Sequence, residues 1–167
     1  MKTLYSTLLL LVGVLFVNVA IAQSGGTSGQ SKQMPKVFKI GEYENDYDKL
    51  LMNHQAQLLN VCNNDMQEAF RKWMGMAAEI EAYAKTVDYD IDGLKFWVHV
   101  FWKKDGEIDH LGFHLRPNSR LVPDEELAEF LDAFVAQYRL PIQANERFSH
   151  YTTLAFPMSY MLGEEKK

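Results

Sequence analysis

Five histidines, at positions 54, 99, 110, 114 and 150, are the residues of this chain that could act as acids, bases or metal ligands near neutral pH. Imidazole nitrogens from neighbouring strands, with a carboxylate such as Asp109 beside them, are typical ligands of Zn²⁺. His99 and His114, with His110 as an optional third ligand, are the candidates for a metal-dependent or small-ligand hydrolase, which is the enzymatic alternative. No HExxH pair occurs, so histidines hydrogen-bonded within a covered sheet are the favoured interpretation, and no metal ligand is predicted.

A serine hydrolase is the second chemistry that the residue types allow. Ser149 and His150 are adjacent, and acidic residues are frequent in the chain. A nucleophilic serine needs a nucleophile elbow and a glycine-rich oxyanion segment, and neither is present. No loop that would cradle a phosphate occurs either. We therefore predict no catalytic residue and no cofactor.

The acidic stretch DYDIDG at residues 88–93 resembles the opening of a calcium-binding loop. Its aspartates alternate, and Gly93 falls at position 6. The bidentate glutamate of such loops belongs at position 12, where this chain has His99. A simple turn into the strand that follows is the favoured interpretation.

The histidines near position 100 must be positioned by a β-hairpin. Residues 94–103 and 107–115 are two aromatic-rich runs, and Gly106 in the turn between them takes the left-handed conformation that glycine adopts without strain. On the return run the spacing of apolar residues is three once and two thereafter, at Ile108, Leu111, Phe113 and Leu115. In strict alternation, Val98 would face Gly112 and the apolar side chains of the two strands would not meet.

One inserted residue near Asp109 and His110 removes this conflict. A β-bulge there places two residues opposite one and restores the pairing of apolar side chains. The resulting apolar face contains Phe96, Val98, Val100, Leu111, Phe113 and Leu115. Burying each large side chain gains about 2 kcal/mol, which outweighs one interrupted hydrogen bond of the ladder.

The opposite face of the hairpin, here called the reverse face, carries the candidate partner-binding residues. These are Trp97, His99, Phe101 and His114, with Gly112 opposite His99; the direction of His110, which lies in the bulge, stays open. Two aromatic residues and two histidines around a glycine are not typical of a solvated face. We therefore expect either the N-terminal helices or another protein to cover it.

Apolar residues at helical spacing predict helices within residues 44–86 and over residues 124–139. The strongest pattern runs from Met66 to Ala84 and advances by three or four residues over about five turns. Because the segment NND at 63–65 offers a new N-cap, two helices joined near residues 62–64 are favoured over a single bent helix. Asp124 is expected to cap the last helix.

Residues 148–156 alternate loosely and predict a third strand before Pro157. The sequence thus predicts one α+β domain over residues 37–157. Its expected core is a three-stranded antiparallel sheet, made of the hairpin 94–115 and the strand 148–156, packed with helices from 44–86 and 124–139. Residues 158–167 are expected to form a frayed tail.

The N-terminus has the composition of a secretory signal peptide over residues 1–22. Lys2 precedes a long apolar run, and Ala20, Ile21 and Ala22 form an A-x-A cleavage site. We expect cleavage after Ala22, a flexible leader over residues 23–36, and a periplasmic or secreted location. An uncleaved anchor is the alternative, although the apolar run is short for a span of about 20 residues.

Charge and cysteine content exclude several other classes of function. Removing the signal peptide leaves 145 residues with a net charge of −6 and no basic patch, so nucleic-acid binding is not expected. Cys62 is the single cysteine, so no intramolecular disulfide can form and the fold depends on packing. We interpret Cys62 as a buried, inert thiol rather than a reactive or dimer-forming one.

The order of these elements resembles the C-terminal domain of TonB, the periplasmic energy-transducer family. The resemblance covers residues 94–157 and is carried by the turn KKDGEI, the spacing I-x-x-L-x-F and the closing strand HYTTLAFP. It implies a Gram-negative periplasmic setting and a protein-binding role. The region 44–86 is an addition to that layout, and we expect neither an uncleaved anchor nor the long proline-rich spacer of the transducers.

These observations predict a non-enzymatic envelope protein that binds another envelope protein through a sheet edge or through the reverse face. A small open sheet presents unpaired backbone groups at its edges, which is why edge pairing is expected. No stable membrane span is expected after signal cleavage. The sequence does not indicate an oligomeric state.

Overall fold

The structure, a computed structural model, describes residues 33–160. The predicted signal peptide, residues 23–32 of the predicted leader and residues 161–167 of the predicted tail lie outside the described residues. Within them, the elements in chain order are β1 (Val37–Lys39), α1 (Glu44–Asn53), β2 (Ala56–Gln57), α2 (Leu58–Val61), α3 (Met66–Thr86), β3 (Lys95–Trp102), β4 (Ile108–Leu115), α4 (Asp124–Gln137), β5 (Phe148–Ala155) and a 3₁₀ turn (Met158–Tyr160).

The sheet has the strand order β1-β4-β3-β5-β2. The α+β class and the three central antiparallel strands are as predicted, since β3 pairs antiparallel with both β4 and β5. The prediction of a three-stranded antiparallel sheet is wrong, because β1 and β2 add one parallel strand at each edge. These strands have three and two residues, which is too short for an alternating pattern to be visible in the sequence.

The register of the hairpin is the one that the apolar spacing predicts. The paired residues include Phe96 with Leu115, Val98 with Phe113, Val100 with Leu111 and Trp102 with Ile108. The register shifts once between Phe101 and Trp102, so Asp109 is the extra residue of the bulge. Gly106 has a φ of 80°, as predicted for the turn, and Lys103 Nζ lies 2.7 Å from Glu107 Oε1 across it.

The predicted helical region 44–86 is broken in two places rather than one. The expected joint is confirmed: Asn63 and Asn64 have positive φ, and the Asp65 carboxylate accepts hydrogen bonds from the first backbone N–H groups of α3. The prediction that the first helix continues up to this joint is wrong, because α1 ends at Asn53 and β2 interrupts the helical pattern before α2 begins. The interruption occurs because residues 56–57 pair with β5, an interaction between segments far apart in sequence.

The last helix, α4, begins at Asp124 as predicted and ends two residues earlier than the predicted range 124–139, because Tyr138 is extended. Asp124 does not cap it; Pro123 is the N-cap residue and provides no side-chain hydrogen bond. The Asp124 carboxylate instead lies 2.5 Å from Lys39 Nζ and connects α4 to β1.

One face of the sheet, here called the core face, packs against α3 and α4. It carries the apolar set of the hairpin, of which Val98, Val100 and Leu111 are fully buried. Tyr83 of α3 stacks on Phe130 of α4 with ring centroids 5.6 Å apart, so the two helices close over this face together. Cys62 is buried at the same core, and burial raises the pKa of its thiol, as expected for an unreactive cysteine.

Candidate functional site

The reverse face of the sheet brings the predicted partner-binding residues onto one side. The register places His114 opposite Trp97, Gly112 opposite His99, and His110 opposite Phe101. His110, whose direction the sequence left open, therefore belongs to the reverse face. The four predicted residues nevertheless divide into two groups, because only part of this face is covered by another element.

Helix α1 covers one part, here called the covered end, which contains His99 and Phe101. His99 is 6 % exposed and Phe101 is fully buried. The Tyr47 hydroxyl lies 2.8 Å from His99 Nδ1 at hydrogen-bonding distance, and the Tyr47 ring packs edge-on against Phe101. Leu50 of α1 completes the small apolar cluster. Half of the predicted binding surface is thus a second core.

Gly112 leaves room for Phe38, a side chain of the edge strand β1, to pack over this covered end. The Phe38 ring is buried and rests directly on Gly112. A Cβ atom at position 112 would lie 2.9 Å from Phe38 Cζ and 3.0 Å from Ile40 Cγ1, distances that side-chain carbons do not tolerate. The glycine opposite His99, visible in the sequence, is therefore explained by the close approach of an aromatic ring.

The bulge residue Asp109 connects three segments at the margin of the covered end. Its Oδ2 atom lies 2.9 Å from Arg147 Nη1, just before β5, and 3.3 Å from Nε2 of the buried His54, just after α1. His54 Nδ1 lies 2.9 Å from the Leu50 carbonyl and must donate to it. Neutral His54 therefore has no proton on Nε2, and Arg147 is the group that neutralises Asp109.

Burial keeps the histidines of this region neutral at pH 7. It lowers the pKa of His99 to about 4, and the fields of His150 and His54 act in the same direction. Burial also lowers the pKa of His54 and of His110, although Asp109 opposes the shift in both. Enclosed imidazoles that already contact protein groups, His99 with the Tyr47 hydroxyl and His54 with the Leu50 carbonyl, fit a structural role, the interpretation that the sequence favours over zinc binding.

The other part of the reverse face, here called the open end, stays accessible. Trp97 is half-buried and His114 is exposed, and their rings stack with centroids 5.7 Å apart. The guanidinium carbon of Arg116 lies 5.7 Å from the centre of the Trp97 ring, a cation–π distance. Tyr151 on the adjacent β5 is 53 % exposed. The open end is thus an aromatic and cationic surface.

The geometry does not assemble either enzymatic alternative. Ser149 and His150 point to opposite faces of β5: Ser149 Oγ lies 3.3 Å from the His54 carbonyl, whereas His150 packs against Trp73 on the core face. His99 is enclosed while His114 is exposed, so the two do not share one cavity. Over residues 33–160, no group of three or more His, Cys, Asp or Glu side chains could hold a metal ion.

A groove of about 580 Å³ runs between α3 and the chain that follows α4. Most of its charged side chains have partners: Lys72 and Arg71 both contact Glu68, Lys72 Nζ also donates to the Pro141 carbonyl at 2.5 Å, and Arg139 contacts Asp105 and Glu107. Because its lining mixes acidic and basic side chains, the groove does not present a site of one sign to a ligand.

The sequence predicts binding through a sheet edge without indicating which strand forms it, and in the structure the outer edge of β5 is the candidate. Phe156 N–H donates to Leu94 on the β3 side at 2.9 Å, so antiparallel alternation turns the backbone groups of Tyr151, Thr153 and Ala155 away from β3. β2 pairs only with Phe148 and Ser149. Among the described residues, no strand pairs with the edge beyond them, and the short helix α2, which follows β2, lies beside β5.

The residues of this edge were visible as an uncharged run, but its position at an edge was not. Residues 148–156 contain no lysine, arginine, carboxylate or proline, the residue types that proteins place on exposed edge strands to prevent pairing. Such a run is equally typical of a central strand. Only the strand order of the sheet distinguishes the two cases.

No family model, curated protein or solved structure matches this chain. The functional assignment therefore depends on the geometry of the described residues. Within residues 33–160, no helix is both long and apolar enough to cross a membrane.

Proposed function

We propose that this chain is a non-enzymatic protein of the periplasmic envelope that binds another protein by strand addition at the outer edge of β5. The observation that carries the proposal is the row of outward backbone groups at Tyr151, Thr153 and Ala155. An extended segment can pair with such a row, because main-chain hydrogen bonds supply affinity for almost any sequence.

The contrast with the other edge of the sheet supports this proposal. There β1 covers β4, with Leu111 N–H donating to the Lys36 carbonyl and Ile40 N–H to the Phe113 carbonyl, both at 2.9 Å. Lysines at both ends of β1 add ion pairs to Glu107 and Asp124. β4 is thus paired with a strand over Leu111–Phe113 and flanked by charges, whereas β5 has neither beyond Ser149.

The open end of the reverse face adjoins this edge. The side chains of Tyr151 and Thr153 lie on the reverse face, and Thr153 is the direct neighbour of Trp97 across the β3–β5 pairing. A strand added to β5 would therefore place every second side chain beside Tyr151 and Thr153, next to the stacked Trp97 and His114. This is the part of the predicted binding surface that stays accessible.

Two sequence features support the setting of the proposal. The basic start, apolar run and A-x-A site before residue 23 are those of a secretory signal, which would deliver the domain to the periplasm. The order of hairpin, helix and final strand over residues 94–157 is similar to the layout of the TonB C-terminal domain, a protein-binding module.

Thr153→Pro tests the proposal directly. Because the Thr153 N–H points outward, proline there removes a donor that the sheet does not use, and edge positions of this kind accept proline. A photo-reactive phenylalanine analogue at Tyr151, in the chain expressed in its own cells, should form an adduct with another envelope protein. Thr153→Pro should abolish the adduct, and Thr153→Ala should preserve it.

Two controls accompany this measurement. The same photo-reactive residue at Glu79, on the exposed side of α3, should give no such adduct. Thermal unfolding should show that the proline variant folds. Adducts of equal yield in the Pro and Ala variants would refute binding through the edge of β5.

A further inference from the structure

A cavity of about 290 Å³ opens between α3 and the end of α4, beside the groove described above. Its volume is near the lower limit for pockets that bind small molecules. Side chains three or four positions apart share one side of a helix, and two such rows line the cavity. The rows are Glu79, Tyr83 and Thr86 on α3, and Phe134, Gln137 and Tyr138 at the end of α4. Among the described residues that line it, Glu79 alone is charged at neutral pH.

The aromatic side of the cavity is built around Phe134. Its ring stacks on Tyr138 with centroids 4.9 Å apart and packs at a tilt against Tyr83 with centroids 5.9 Å apart. Phe134 is buried in the core, whereas both tyrosines are only half-buried and stay accessible from the cavity. The faces of aromatic rings carry partial negative charge and attract cations within about 6 Å of the ring centre. Three rings in one small cavity therefore favour a cationic ligand.

Glu79 differs from the other two glutamates of α3 in having no cationic partner. Each of the others contacts a basic side chain three or four positions away: Glu68 contacts Arg71 and Lys72, and Glu81 contacts Lys85. The corresponding positions around Glu79 hold uncharged residues, namely Gly75, Met76, Ala82 and Tyr83. Within residues 33–160, no ion pair to Glu79 occurs. The cavity thus contains a carboxylate whose charge the described part of the chain does not balance.

The electric field of Glu79 acts on the cavity itself. Burial raises the pKa of Tyr138 to about 12, and the Glu79 carboxylate acts in the same direction, because a nearby negative charge disfavours the phenolate. Tyr138 therefore stays neutral at pH 7, and the same field favours a positive charge beside it. The basic side chains of the neighbouring groove do not supply that charge, because they pair with other carboxylates.

We propose that this cavity binds a small soluble organic cation, whose alkylammonium group contacts Tyr83 and Tyr138 and pairs with Glu79. A methylated ammonium suits the rings, because its methyl groups make apolar contacts while its charge is attracted to the ring faces. Glu79 repels phosphates and carboxylates, which excludes anionic ligands. The inference goes beyond strand addition, since the cavity lies between the helices that cover the core face and not at the β5 edge.

Titration of the isotope-labelled chain with choline, followed by amide chemical shifts in NMR spectra, tests this inference. Choline should shift the amides around Glu79 and Tyr138. The neutral alcohol in which carbon replaces the choline nitrogen has the same shape and should bind at least about tenfold more weakly, because it lacks the charge. Equal binding of the two compounds, or choline shifts confined to other parts of the chain, would overturn the inference.

Two matched charge variants locate the carboxylate that matters. Glu79→Gln should weaken choline binding by about tenfold, as expected when one ion pair at a partly desolvated site is lost. Glu129→Gln makes the same change in charge at an exposed position of α4 outside the cavity and should leave the affinity unchanged. Equal losses in the two variants would show a general effect of net charge and would overturn the site.

The contribution of the rings is tested at Tyr138. Tyr138→Phe keeps the ring and should keep the affinity, whereas Tyr138→Leu should weaken binding by about tenfold. Thermal unfolding verifies that the leucine variant folds. Nuclear Overhauser contacts between the choline methyl protons and the Tyr83 and Tyr138 rings test the same point in the unaltered chain. Their absence at saturating choline would overturn the aromatic part of the site.

Phosphatidylcholine vesicles distinguish a lipid head group from a soluble ligand. The chain should not sediment with these vesicles, because the proposed ligand enters the cavity as a free cation. Sedimentation that Glu79→Gln abolishes, without any response to free choline, would assign the cavity to a membrane surface and overturn the inference. Thr153→Pro should leave choline binding unchanged, so the two proposals stand or fall separately.

Discussion

The two ends of the reverse face have similar sequences and opposite environments. At the covered end, His99 and Phe101 lie under α1, within reach of Tyr47 and Leu50. At the open end, Trp97 and His114 stack on each other in contact with solvent. Each pair combines an aromatic ring with a histidine, on neighbouring positions of the same face.

The difference between the ends comes from elements far away in the sequence. Phe38 of β1 and Tyr47 of α1 reach the covered end and pack edge-on against each other there. At the open end, by contrast, Trp97 is half-buried and His114 is exposed. Alternation along a strand therefore determines which face a side chain occupies, whereas burial on that face depends on what the rest of the chain places above it.

The largest difference in stability should appear when one aromatic residue is truncated at each end and the two losses are compared. Phe101→Ala removes a fully buried ring and should lower the free energy of unfolding by about 3–5 kcal/mol. Trp97→Ala, at the half-buried open end, should cost about 1 kcal/mol. Urea unfolding followed by circular dichroism measures both. Equal losses would contradict the division of the face into a core and a surface.

The next effect is a pH dependence that originates at the covered end. The pKa of His99 falls from 6.5 to about 4 on folding, mainly because of burial. Since the unfolded chain then binds the proton first, the free energy of unfolding should decline as the pH drops from 6.5 to about 4. The contribution of His99 is about 3 kcal/mol.

Two variants isolate this contribution in urea unfolding across the same pH range. His99→Gln should make the decline shallower by the His99 contribution, because glutamine does not titrate; the remainder comes from His54, His110 and His150, whose pKa values burial also lowers. Phe101→Leu should lower stability at every pH and keep the decline, because it changes packing without changing a proton site. A decline of unchanged steepness in His99→Gln would show that other groups account for it.

The smallest of the three effects concerns the contact between Gly112 of β4 and the Phe38 ring of the neighbouring strand β1. Gly112→Ala places a Cβ against the Phe38 ring and should lower the free energy of unfolding by about 1–3 kcal/mol. Gly75→Ala on α3, where nothing lies within 4 Å, should instead raise it by up to about 1 kcal/mol. Thermal unfolding of both variants gives the comparison, and a neutral Gly112→Ala would contradict close packing at the covered end.

The sequence predicts the hairpin register because the information is local. Two apolar sets of fixed spacing align in only one way, and the bulge at Asp109 follows from that alignment. Strand β5 and helices α3 and α4 carry equally regular patterns. The edge strands are different, because two or three residues have no period, and β2 arises only through its pairing with β5.

The candidate site could be predicted only in part, for the same reason. The alternation correctly gathers Trp97, His99, Phe101 and His114 on one face. It does not show that Tyr47 covers two of them, because that contact spans 52 residues along the chain. That the outer edge of β5 lacks a paired strand beyond Ser149 among the described residues is also invisible in the sequence, since an uncharged strand has the same composition at the centre of a sheet and at its margin.

Asp109 lies in β4 but has no partner residue on β3, because its neighbours Ile108 and His110 pair with Trp102 and Phe101. If it were deleted, Ile108 and His110 would become consecutive and would face consecutive residues of β3, so every apolar side chain would keep its side. Only the carboxylate that holds Arg147 would disappear. Insertion or deletion of one codon can therefore add or remove the bulge residue of such a hairpin, and with it the ion pair to Arg147. The face that each apolar residue of the hairpin occupies stays the same.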